Sequence, residues 1–309
     1  MDLVTTVVGP RVAAPQTRSA GARVEDVLAV GRPAFWVVSV VPYYVGILLA
    51  THRLVPTVED WPRLLVGAVV MGPLLWLAVL AINDAYDLPG DLLNPRKSKS
   101  PLLDGRVTLK GAKQLAIAAG IASIAVGLLV GVMFTLGVVL ALVLGWAYSV
   151  PPLRLKTRPG WDIAVNAFVV GVLAPAAGWS ITRPPWEFPW QFGLIGLLFA
   201  AALYVPTTVT DLVADSGAGD TTFAVRFGAR LAYRLGIGLW VAALAFSMGC
   251  AWFDALVPRS TLVPQLFMVP VLAAAYAALT RRPTLITLAL LSVIFGIPTI
   301  GFAVAYVGG

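Results

Sequence analysis

The feature that most constrains this chain is a succession of nine apolar runs, each near the length that crosses a bilayer as a helix. A spanning helix needs about 20 apolar residues at a rise of 1.5 Å each. The runs fall at roughly 35–50, 64–82, 114–130, 132–150, 162–181, 190–210, 231–253, 263–280 and 284–306. The third and fourth meet around Gly131, so they form a tight hairpin. Charge is correspondingly scarce: 12% of the 309 residues are charged, 59% are hydrophobic, and the mean hydropathy is +0.87. A soluble domain carries about 25% charged residues. Half that density leaves too little polar surface to cover a globule in water, and lipid covers the rest. The expected fold is an all-α integral membrane protein, a bundle of nine transmembrane helices.

The formal net charge is +7. In a soluble chain this would suggest nucleic acid, but here the basic residues sit in short connections between apolar runs and set topology instead. With the amino terminus inside, the cytoplasmic segments hold Arg11, Arg18, Arg23 and Arg32; Arg96, Lys97, Lys99, Arg106, Lys110 and Lys113; Arg154, Lys156 and Arg158; Arg226, Arg230 and Arg234; Arg281 and Arg282. Only Arg53, Arg63, Arg183 and Arg259 fall on the other side. The bias predicts a multi-pass protein of the cell membrane with a cytoplasmic N-terminus. Residues 1–31 lack an early apolar core and read as a disordered, then interfacial, tail ahead of a single domain over 32–309. The single cysteine, Cys250, excludes a disulfide within the chain, and the single histidine, His52, excludes a histidine triad or zinc centre in practice.

Two of the cytoplasmic connections also hold seven of the 15 acids, which topology does not require. At the end of the second run the chain reads Asn83-Asp84-Ala85-Tyr86-Asp87-Leu88-Pro89-Gly90-Asp91. Asn83, Asp87 and Asp91 are spaced i, i+4, i+8, three oxygen donors on one helix face. Pro89-Gly90 predicts that the helix loosens there and leaves Asp91 in a turn. The sixth run ends in Asp211 and Asp215, again i, i+4, with Asp220 after two glycines. Grouped carboxylates repel, and at a helix C-terminus they oppose the helix dipole. A hard cation relieves both, and Mg²⁺ typically takes one or two carboxylates plus phosphate oxygens. The alternative is that these are solvated loop acids. Two such pairs, each closing a span on the same side, favour the metal reading.

Cations follow the first acidic group and recur after the fourth run. Arg96, Lys97 and Lys99, then Arg106, come directly after the first cluster, and Tyr148 ends the fourth run ahead of Pro151-Pro152-Leu153-Arg154-Leu155-Lys156. Such groups hold phosphate oxygens and neutralise a departing diphosphate. Tyr148 reads equally well as an interfacial belt aromatic.

At these residues the sequence resembles the UbiA superfamily of intramembrane prenyltransferases. The N-x-x-x-D-x-x-x-D motif is matched by Asn83, Asp87 and Asp91, and the second D-x-x-x-D motif by Asp211 and Asp215. The Asn94-Pro95-Arg96-Lys97 stretch, the Tyr148–Lys156 run and the Thr221–Gly228 segment also look like family features. The resemblance implies a central cavity open sideways to lipid, capped by cytoplasmic loops that close over diphosphate and Mg²⁺. One departure stands out: many members have a basic residue after the second motif, where this chain has Ser216, so Arg226 is a candidate to supply the missing grip.

The expected activity is Mg²⁺-dependent transfer of a prenyl group from an isoprenoid diphosphate to a lipophilic acceptor, aromatic, carotenoid or similar. Metal would be held by Asn83, Asp87, Asp91, Asp211 and Asp215. Diphosphate would be held by Arg96, Lys97, Lys99, Arg106, Tyr148, Lys156 and Arg226. Asp84, Asp162, Asn166 and Asp220 are candidate polar groups of the cavity. A cyclase of the same superfamily, which would use no acceptor, is the nearest rival, with aromatics such as Phe134, Trp146, Phe168 and Trp179 to steady a cation. An ion-coupled transporter is the second, although transporter sites usually lie near the midplane on broken helices.

Overall fold

The computed structural model describes residues 23–92 and 100–308, and every regular element among them is helical. The chain begins with α1 (Val24–Gly31), a short turn (Pro33–Phe35) and α2 (Val37–Thr51). The second span joins α3 (Trp61–Val69) to α4 (Leu75–Asp91) through a π-turn at Val70–Leu74. A hairpin of α5 (Leu109–Val130) and α6 (Val132–Ser149) follows, with Gly131 alone between them as expected. The fifth span joins α7 (Trp161–Phe168) to α8 (Ala174–Trp179) through a second π-turn at Val169–Leu173. Then come α9 (Trp190–Thr210), the short α10 (Leu212–Ala218) and α11 (Phe223–Phe227), and three long helices: α12 (Ala229–Trp252), α13 (Leu262–Thr280) and α14 (Leu285–Gly308).

Eight helices among the described residues are long and apolar enough to cross a membrane. The bent pair Val24–Phe35 and Val37–Thr51, with 55° between its parts, makes a ninth where it is counted as one span. Both π-turns lie beside proline, Pro73 within the first and Pro175 just after the second. Proline lacks the N–H that closes an α-turn, and a wider turn absorbs the loss without ending the helix.

Helices in lipid gain nothing from hiding apolar surface from one another, so they associate through close packing and polar contacts. Gly46 of α2 faces the Pro175 carbonyl and Gly178 of α8 faces the Tyr43 carbonyl, with no room for a Cβ at either position. Tyr43 donates to the Leu64 carbonyl at 3.1 Å, and Tyr276 donates to the Ala202 carbonyl at 2.7 Å. One core gathers Tyr43, Ile47, Val70, Phe134 and Val138. Another gathers Phe199, Trp240, Tyr276 and Leu291 from α9, α12, α13 and α14.

Two sequence expectations change here. Residues 24–31, assigned to the tail, form α1, and its Val30 is buried in a core with Ala81, Ala85 and Ala112. The packed bundle therefore begins before Arg32. The helix also does not loosen at Pro89-Gly90: α4 runs on to Asp91. Gly90 instead serves a close approach, since a Cβ there would stand 3.0 Å from the Ala218 Cβ. That absence lets α10 rest on the last turn of α4, which brings the two acidic motifs to one end of the bundle.

Candidate active site

The site forms where α4 ends, where α9 breaks into α10, and where the connection between α6 and α7 folds over both. Asp87, on the last turns of α4, touches the Lys156 ammonium and lies 3.5 Å from Arg154 Nη2. The same Arg154 nitrogen lies 3.4 Å from Asp220 Oδ1, so one guanidinium bridges the two acidic segments. Arg154 holds this post in a left-handed backbone conformation, φ 39° and ψ 54°. A non-glycine residue adopts that conformation at a cost of about 1–3 kcal/mol, and only where its surroundings hold it there.

The second segment is shaped by its break. The α9 helix stops at Thr210, Asp211 forms the joint, and α10 adds two turns before Gly219 turns left-handed at φ 77°. The Asp220 amide then donates back to the Asp215 carbonyl at 3.0 Å. This reversal aims Asp220 at Arg154. Burial first, then the neighbouring Asp211 charge, push the Asp215 carboxyl up to about 6, against the pull of Lys156. Burial also lowers the Lys156 ammonium to about 8, opposed by Asp220, Asp215 and Asp84. Both shifts describe carboxylates and cations crowded together with little water.

A polar layer lies beneath. The Ser149 hydroxyl at the end of α6 donates to Asn83 Oδ1 at 3.2 Å, and the Tyr148 and Tyr204 hydroxyls pair at 2.7 Å. The Asn166 amide donates to the Asp162 carbonyl at 2.9 Å. Tyr148 is therefore turned into the bundle and is not a belt aromatic, whereas Trp146 two residues earlier is 52% exposed.

Several sequence candidates have other partners than expected. Asp162 is not a free cavity group: its two oxygens accept the Gly160 and Phe223 amides, each at 2.7 Å, so it pins the α6–α7 connection to α11. Asp84 is 2% exposed and paired with Arg32 at 2.6 Å. Arg106 grips Asp104 and Asp26, and Arg226 is exposed with its guanidinium 5.9 Å over the Phe227 ring. Asp91 is buried at the end of α4. Arg96, Lys97 and Lys99 lie outside the described residues. Sequence reasoning left Arg154 and Tyr204 out of the candidate set. Arg154 carried a signal, as a cation two residues before Lys156 after a rigid Pro-Pro turn, while Tyr204 sits inside an apolar run with nothing to mark it.

Comparison with known proteins gives this geometry a context. A model of the UbiA prenyltransferase family matches residues 39–283. A lycopene elongase/hydratase of Halobacterium salinarum is 27% identical over 223 residues, 69% of this chain and 75% of that protein. The bacteriochlorophyll synthase 33 kDa chain of Cereibacter sphaeroides is 35% identical over 103 residues, 33% of each chain. A UbiA homolog from Archaeoglobus fulgidus, solved bound to GPP and Mg²⁺, superposes with a TM-score of 0.72 at 23% identity, covering 92% of this chain and 100% of that one. The shared fold and a family match running through both acidic motifs lead to one assignment: this chain belongs to the UbiA prenyltransferase family.

Proposed function

We propose that the protein transfers a prenyl group from an isoprenoid diphosphate to a lipophilic acceptor inside the membrane, using Mg²⁺ held between the two acidic motifs. The observation that carries this reading is the Asp87–Arg154–Asp220 bridge with Lys156 on Asp87: cations and carboxylates from three segments converge on one point. The donor set, Asn83, Asp87, Asp91, Asp211 and Asp215, is all oxygen and suits a hard cation. Among the described residues no three acidic, cysteine or histidine side chains gather closely enough to cage a metal. Mg²⁺ usually takes one or two carboxylates and draws its other ligands from phosphate and water. Bound there, Mg²⁺ would neutralise diphosphate oxygens.

The chain's own groups do the rest. Arg154 and Lys156 hold the phosphate oxygens and stabilise the negative charge that grows as the C1–O bond breaks. The Tyr148 hydroxyl, paired with that of Tyr204, donates to the same oxygens. The prenyl tail lies among apolar side chains that keep water from the allylic cation. The acceptor forms its bond to C1 and gives up a proton to a carboxylate or to the released diphosphate. A carotenoid is the first acceptor to try, because relatives matched over about two thirds of the chain are named lycopene elongase/hydratase. The cation bias of the connections supports a cytoplasmic N-terminus and a cytoplasmic site.

The test is diphosphate release by purified protein in lipid, with dimethylallyl, geranyl, farnesyl and geranylgeranyl diphosphates, with and without Mg²⁺ and lycopene. Metal-dependent release that needs an acceptor is expected. Release without acceptor, with a cyclic product, would make the protein a cyclase. No release by folded protein with any acceptor in a membrane-lipid extract would overturn the reading.

A further inference from the structure

We propose that Arg32, ahead of the region that the family model matches, is a positioning residue of the active site: by pairing with Asp84 it reserves Asn83, Asp87 and Asp91 for the metal and leaves Lys156 to Asp87. This rests on the metal and diphosphate reading above. The α4 helix carries three aspartates within eight residues, and Asp84, Asp87 and Asp91 at i, i+3 and i+7 lie near one face. Asp84 is the most deeply buried of them, 2% exposed, and adjoins the ligand Asn83. A carboxylate so placed needs a counter-ion of its own. Without one it would compete with Asp87 for Lys156.

Arg32 answers that need from 52 residues away, with Nη2 2.6 Å from Asp84 Oδ1. Its backbone is left-handed, φ 44° and ψ 73°, a conformation a non-glycine residue keeps only when its setting imposes it. The setting is visible. The Arg32 amide donates to the Leu28 carbonyl at 2.9 Å, the Phe35 amide donates to the Arg32 carbonyl at 2.8 Å, and Trp36 Nε1 donates to the Gly31 carbonyl at 3.0 Å. Behind this turn α1 is tied down by Asp26, whose buried Oδ1 lies 2.5 Å from Arg106 Nη1. Phe35 packs on Trp76 of α4 at 5.6 Å between ring centroids. The turn is built to deliver one guanidinium to one buried carboxylate.

A staple that only held the fold would leave metal binding untouched, and this separates the two roles. The experiment follows thermal unfolding of the full chain in lipid as Mg²⁺ is titrated with inorganic pyrophosphate, and in parallel measures kcat and KM. Arg32→Ala is expected to raise the Mg²⁺ needed for half-maximal stabilisation by about tenfold, the scale of losing an outer partner of a metal ligand. Asp84→Asn alone should shift it far less, and Arg32→Ala with Asp84→Asn should return to the Asp84→Asn value. Asp84→Asn as damaging as Asp87→Asn would overturn the proposal, because Asp84 would then be a ligand. A double variant no better than Arg32→Ala would also overturn it, because Arg32 would then be gripping pyrophosphate directly. Should Arg32→Ala fail to fold, the double variant decides alone: binding at the Asp84→Asn level supports the pairing, and binding at the Asp87→Asn level ends it. Asp87→Asn that binds as wild type would instead remove the metal site on which the proposal stands.

Discussion

The acidic motif on α4 lies within one continuous helix, whereas the motif after α9 straddles a break at Asp211. Continuity fixes the spacing of the first set and lets each of two carboxylates keep a cation: Arg32 on Asp84, Lys156 on Asp87, with Arg154 close by. The second set ends at the left-handed Gly219, and among the described residues its Asp220 shares the Arg154 guanidinium with Asp87. Asp215 bears the consequence, a carboxyl pushed up to about 6 by burial and by Asp211. The same ligand types thus come in two settings: among the described residues two carboxylates of the first segment pair with cations, while in the second the Asp215 carboxyl is raised by burial and by Asp211.

The largest effect should come from removing either motif. Asp87→Ala and Asp215→Ala should each lower diphosphate release by at least about a thousandfold, since both remove ligands that act together. Their stabilities should part company. Asp87→Ala strands the buried Lys156 and should lower the unfolding midpoint in EDTA, while Asp215→Ala removes a crowded charge and should leave it level or raise it. Near-normal turnover in either variant at matched expression would refute the metal assignment. A matching loss of stability in both would refute the contrast between the motifs.

A second effect, in stability alone, follows from Asp215. Its folded pKa lies above the unfolded value, so folding disfavours the charged form. The penalty is absent below the ordinary carboxylate range, grows as pH rises towards about 6, and is complete above it. Asp215→Asn should therefore raise the midpoint of metal-free protein at pH 7.5 by a few degrees and change it little at pH 4. Equal shifts at both pH values would show that Asp215 is not the source.

The helical spans and the membrane setting were legible because both are local signals, long apolar runs bounded by charge. The two acidic segments stood out for the same reason: i, i+4 spacing is written into Asn83, Asp87, Asp211 and Asp215. What escaped lies in contacts between distant segments. Arg32 meets Asp84 across 52 residues and Asp162 meets the Phe223 amide across 61, and no local pattern encodes either. Arg106 shows the converse error. A cation after an acidic cluster reads as a phosphate ligand, yet its near partners Asp104 and Asp26 hold it. The Pro89-Gly90 pair read as a helix end because the demand for a bare backbone under Ala218 comes from α10, not from α4.

The smallest effect tests a position where this chain departs from the pattern of many family members. Ser216 follows Asp215 directly, where many members carry a basic residue, and it is exposed on α10. Placing a cation there by Ser216→Arg should add positive charge beside Asp215, lowering the pKa of Asp215 and the KM for the prenyl diphosphate. An exposed ion pair is worth about 0.2–1 kcal/mol, so the gain should be no more than about fivefold and should shrink at high salt. Arg154 already reaches Asp220, and the two effects should therefore be less than additive. In an Arg154→Ala background the same substitution should recover a larger share of the lost affinity. Full additivity of the two changes would mean that Arg154 and residue 216 serve separate parts of the diphosphate, and the second motif would then not depend on the bridge from Asp87.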